Sequence, residues 1–164
     1  MGASAWSYIT AYQPDIQAAL DALRQEEFAA WKHAHPRKRY KNIDTLLKDV
    51  GADGTSSILD VSRISTTPLP IIKHNFAHYN FRDPKDMARF TAAMNEVIGV
   101  IFPLSSEDHL TLFGTLRPTR DTIEQVTSTL DPLYKRIERG SGIYLILYQD
   151  DAPTAIYFTG ISGD

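Results

Sequence analysis

The sequence predicts a single α+β domain spanning residues 1–164: a mostly antiparallel sheet with helices packed on it, closed by a C-terminal β-hairpin. Three observations carry this. The final stretch "GIYLILYQDDAPTAIYFTG" is two apolar runs around the turn residues "QDDAP", which is a hairpin pattern with a longer loop. The opening "SAWSYITAY" is rich in aromatic and β-branched residues and reads as a strand. Between them, apolar residues recur at helical spacing in segments bounded by capping and stop residues.

In chain order, Ser4–Tyr12 is the first expected strand. Pro14 suits the first position of a helix, and Ile16, Ala19, Leu20 and Leu23 continue it toward Trp31. Pro36 blocks any further helix. Asn42 caps a short helix with Ile43, Leu46, Leu47 and Val50 on one face, stopped by Gly51. Thr55–Ser65, "TSSILDVSRIS", is expected to be a strand, and Pro68 and Pro70 restrict the next stretch to an edge strand or loop. Asp83 and Pro84 start a helix through Met87, Phe90, Ala93, Met94 and Val97. "VIGVIF" fits either the end of that helix or a short buried strand. Ser105 and Asp108 form a variant capping box, with Gly114 as the stop. Thr119 caps the clearest helix, whose stripe runs from Ile123 to Ile137, ends at Gly140 and is kinked or restarted at Pro132. Both hairpin runs are apolar at nearly every position, so both of their faces should be covered. The architecture expected is a sheet with helices on one side.

Composition excludes several chemistries. Cysteine is absent, which removes disulfides, thiol nucleophiles and thiolate metal sites and suits a cytoplasmic protein. The net charge of −3 argues against a dedicated nucleic-acid binder. "MGASAWSYIT" has neither a signal-peptide pattern nor the myristoylation pattern, since Trp6 stands where Ser or Thr is required. No apolar run approaches the ~20 residues of a membrane span.

The densest charge lies in "WKHAHPRKRYK", which holds five of the 17 Lys and Arg residues and two of the five histidines. Lys32, Arg37, Lys38, Arg39 and Lys41 there form an exposed interhelical patch suited to a protein partner with an acidic surface. Phosphate contacts supported by Trp31 and Tyr40 are the competing reading. His33 and His35, with His74 and His78, have spacings that can present imidazoles to a metal. The zinc-protease pattern is absent and no carboxylate lies in register, so no metal and no cofactor are expected. "TLRPTR" brings Arg117 and Arg120 to a helix start, a candidate anion site. Asp60, Arg63, Glu107, Asp108 and His109 are the remaining polar candidates for acid–base work, and helix capping alone accounts for the acids of "SEDH". "GADGTSS" lacks the Lys of a phosphate loop, and Ser162 in "GISGD" has no helix after it to make a nucleophile elbow. No catalytic residue is assigned.

The segments "YQPDIQAALDALRQEEF", "ADGTSSILDVSRIS", "LFGTLRPTRDTIEQ" and "IERGSGIYLILYQDDAPTAIYFTGISGD" together resemble a family of small bacterial cytosolic proteins with no established activity. The resemblance implies a bacterial protein with one compact fold and assigns no functional residue. The leading expectation is therefore a non-enzymatic protein-binding domain, of the kind that neutralises or regulates a partner; an immunity-type protein for a bacterial toxin is one concrete form. The alternatives are a small enzyme or phosphate-binding protein using Arg117, Arg120 and a histidine, and a nucleic-acid-binding accessory domain.

Overall fold

A computed structural model describes residues 4–51, 55–68, 80–126, 134–135 and 137–162. Its elements run β1 (Ala5–Ala11), α1 (Ile16–Ala34), α2 (Ile43–Val50), β2 (Arg63–Ile64), α3 (Pro84–Val97), β3 (Val100–Pro103), α4 (Ser106–Phe113), α5 (Arg120–Val126), β4 (Ser141–Gln149) and β5 (Ala152–Ile161). The five strands form one sheet in the order β1-β5-β4-β3-β2. β5 pairs antiparallel with both β1 and β4, and these pairings contain most of the ladder. β3 lies parallel to β4 and to the two-residue β2. The α+β expectation holds, and the sheet is mixed with its antiparallel part dominant.

Helices cover both faces of this sheet, not one. Along β4 and β5 alternate residues face opposite ways. Ile143, Leu145, Leu147, Ala155 and Tyr157 pack with Val97 and Ile123 from α3 and α5. Ile156 and Phe158 pack with Trp6 and with Ala19, Leu20 and Leu23 from α1. A third cluster joins Phe28 of α1 to Ile43 and Leu46 of α2 and to Leu59. The continuous apolarity of the hairpin is thus explained by burial on both faces.

Local chemistry sets the element ends. Asp15 caps α1 by accepting from the Ala18 N–H, so the helix starts after Pro14 and continues past Trp31 to Ala34. Asn42 and Thr45 form a reciprocal capping box at α2. Gly99, at φ 75°, separates the end of α3 from β3, which resolves "VIGVIF" into both of its readings. Gly114 closes α4 in the left-handed region. The hairpin turn is shorter than its sequence suggests: Gln149 pairs directly with Ala152, and Asp150 and Asp151 both have positive φ.

The expected strand at 55–65 is the main departure. It contains a 3-10 turn, Ile58–Asp60, and only Arg63–Ile64 join the sheet. The Ser57 hydroxyl accepts from the Leu59 N–H, and Asp60 accepts from both the N–H and hydroxyl of Thr55. These short-range bonds offer the backbone an alternative to a ladder, while Ile58, Leu59 and Val61 are still fully buried. The proline-containing stretch from 69 to 79 and the Pro132 kink lie outside the described residues. No described helix is long and apolar enough to cross a membrane.

Candidate functional site

The basic segment is built on the junction of α1 and α2. The helix end is tied by His35, whose backbone N–H and ring Nδ1 both meet the Trp31 carbonyl, at 3.0 and 2.9 Å. A carbonyl only accepts, so Nδ1 carries the proton in this contact. The His35 ring stacks on Trp31 with centroids 4.3 Å apart, and Tyr40 packs tilted against the same indole at 5.3 Å. The Lys38 N–H closes a turn onto the His35 carbonyl at 3.0 Å. Tyr40 in turn donates its hydroxyl to Asp49 of α2, and this hydrogen bond raises the phenol above its ordinary pKa. Trp31 and Tyr40 both border the apolar cluster of Phe28, Ile43 and Leu46. The turn is therefore fixed from both ends by aromatic packing.

On this frame the five basic residues differ. Lys32 belongs to the last turn of α1 and places its ammonium 5.5 Å from the Phe28 ring centroid, so it is helical and not part of the loop. Lys38 lies 3.8 Å from Asp49. Arg37, Arg39 and Lys41 are exposed and make no ion pair or side-chain hydrogen bond with any described residue. A shallow cleft of about 260 Å³, lined by Ala34 to Lys38, opens beside them.

The two arginines of "TLRPTR" have different neighbours, with Tyr148 common to both. Arg117 donates to Asp151 at 2.7 Å, and its guanidinium sits 5.7 Å from the Tyr148 ring centroid. The bond to Asp151 holds its proton more tightly than usual. Arg120 lines a cleft of about 410 Å³ with Asp121, Gln149 and Asp150. His109 lines a separate cleft of about 200 Å³, with Tyr144 and Tyr148, and its Nδ1 meets the Ser105 carbonyl at 2.9 Å. Tyr148 borders both clefts, and Arg117 lines neither.

No protein-family model, curated protein or solved structure matches this chain.

The other polar candidates have structural duties. Asp108 is buried in the first turn of α4, where its N–H donates to Ser105 Oγ and its carboxylate accepts from that hydroxyl. Asp60 organises the Thr55 turn. Arg63 donates to the Asn95 carbonyl at 3.2 Å and lines a cleft of about 640 Å³ between β2 and α3, with Glu96 on its rim and Val100 and Phe102 on its floor. Sequence reading missed this cleft because it depends on how far β2 extends. Glu107 is exposed. Ser162 is buried and accepts from the Ser4 N–H, so it packs the chain's end against β1. His33 is exposed on α1, and His74 and His78 lie outside the described residues. Among the described residues no three His, Asp or Glu side chains gather as metal ligands. Two contributors escaped sequence reading altogether: Asp49, which holds Tyr40 and Lys38, and Asp151, which holds Arg117. Each acts across a gap in sequence that no local pattern spans.

Proposed function

We propose that this protein is a non-enzymatic binding domain whose basic loop between α1 and α2 docks an acidic surface of a bacterial partner protein, as an immunity-type or regulatory protein does toward a toxin. The observation that supports this reading is the contrast within the loop. Its backbone is fixed by the Trp31–His35–Tyr40 packing, while Arg37, Arg39 and Lys41 point charge at solvent without an acidic neighbour among the described residues. A fixed loop loses little entropy on docking, and unpaired cations supply electrostatic steering toward an acidic partner. The anion-site alternative has less support, because Asp151 already neutralises Arg117 and the histidine lines a different cleft. The net charge of −3 weighs against nucleic acid.

Replacing Arg37, Arg39 and Lys41 with Glu tests this. The triple variant spares Lys38 and its contact with Asp49, so stability should change by less than about 0.5 kcal/mol. Partner capture from the native host should fall at least about tenfold and weaken with salt in the wild type. Capture that survives the triple variant but is lost in Arg117→Ala/Arg120→Ala would overturn the assignment. So would salt-sensitive binding to a nucleic-acid duplex in place of protein.

A further inference from the structure

β1 is an edge strand of the sheet. Its partner β5 takes one side. The Tyr12 N–H donates to Thr154, and the Ser162 N–H donates to the Ser4 carbonyl. Hydrogen-bonding direction alternates along an antiparallel ladder, so the even-numbered residues of β1 face β5. The N–H and C=O groups of Ala5, Ser7, Ile9 and Ala11 then point outward, and no described backbone group meets them. Those same four residues are exposed, Ile9 to 39%.

Edge strands are ordinarily guarded by charge, proline, a bulge or shortness. β1 has none of these. It pairs with β5 through all seven residues without a register shift, and the stretch Ser4–Gln13 contains no charged residue and no proline. By contrast, β2 at the opposite edge is two residues long and contains Arg63.

We propose that β1 is an interface for a second copy of this chain, pairing antiparallel with its own counterpart so that two sheets join into one. The chemistry favours a copy over a foreign strand. An uncharged row offers nothing to select a charged peptide, and two such rows meet without the like-charge repulsion that opposes self-pairing elsewhere on this acidic molecule. A two-fold axis at Tyr8 uses the whole strand: Ala5 lies opposite Ala11, Trp6 opposite Thr10, and Ser7 opposite Ile9. An interface of this kind is isologous and closes at the dimer. It leaves the basic loop for a different partner.

Sedimentation velocity of the full chain, from about 1 to 200 μM, reads the association directly. The wild type should dimerise. Ile9→Lys places like charges across the joint, and Ser7→Pro removes an outward N–H while sparing the backbone bonds to β5 and losing only the Ser7 hydroxyl's bond to Tyr157; each should raise the dimer dissociation constant at least about tenfold. A circular dichroism spectrum matching the wild type confirms that each variant is folded. Because the chain has no cysteine, a nitroxide on Ile9→Cys gives a second readout that needs neither variant. Two labels should lie within about 20 Å, since paired strands are only ~5 Å apart. A wild type that stays monomeric throughout, a dimer that neither variant weakens, or labels without short-range coupling would each overturn the proposal.

Discussion

Trp6 and two glycines show how single atoms decide the sheet. Gly142 and Gly160 sit directly opposite each other on β4 and β5, and Trp6 pairs with Gly160 from β1. A Cβ on Gly160 would overlap the indole Cζ2 and the Ser141 carbonyl oxygen; on Gly142 it would lie 2.7 Å from the Thr159 oxygen. The indole therefore lies across bare backbone, which is why glycine stands in two strand interiors where it ordinarily weakens a sheet. Gly160→Ala should cost about 3 kcal/mol or more, because backbone and a buried ring must both shift. Gly114 differs: it has φ 68° and open space around its Cα, so Gly114→Ala should cost only about 1 kcal/mol of backbone strain. Urea denaturation of the two variants measures the difference, and equal losses would contradict the packing argument.

At the scale of elements, short polar side chains write the boundaries. Asn42 and Thr45 satisfy each other's backbone N–H groups at the start of α2, an eight-residue helix that needs such help. Asn42→Ala should cost about 1 kcal/mol and loosen the loop it anchors, so the loss should appear in denaturation and in faster amide exchange from Lys38 to Lys41. A cap that contributed nothing would leave both unchanged. Asn42, Asp83 and Ser105 were legible as caps because capping is a local matter of residue type and spacing. The 55–65 segment was misread for the opposite reason. Its dense apolar residues signal burial, but Ser57, Thr55 and Asp60 use side-chain hydrogen bonds to turn the chain. The hairpin turn was misjudged because Asp150 and Asp151 occupy left-handed positions that glycine or asparagine usually marks. Arg117 reaches Asp151 from the connection between α4 and α5.

For the whole molecule, the tyrosines set an alkaline limit. Burial pushes Tyr144 and Tyr157 above their ordinary pKa of 10.0, and burial together with Glu27 does the same for Tyr8. The folded state holds these protons more tightly than the unfolded chain. Their contribution is therefore complete below about pH 10, declines once the unfolded phenols begin to ionise, and is lost as pH rises through the folded values. Denaturation midpoints measured from pH 8 to 12 should fall above pH 10 as the phenolate absorbance followed in parallel rises. A midpoint that held constant while the phenols ionised would show that these rings are not enclosed as described. Tyr8 and Tyr157 lie on β1 and β5, and Tyr144 on β4, so the loss should unfold the sheet as a unit.

The sequence by itself determined the α+β class, the C-terminal hairpin, most helix starts and stops, and the exposure of Arg37, Arg39 and Lys41. All of these follow from composition, period and capping within a few residues. Only the tertiary structure decided that helices cover both sheet faces, that the last three strands in space run parallel, and that Arg117, Arg120 and His109 serve different surroundings. Those outcomes depend on contacts between residues far apart in the chain, such as Arg117 with Asp151 and Trp6 with Gly160. Local periodicity can say that a residue is buried or free, but not what it meets.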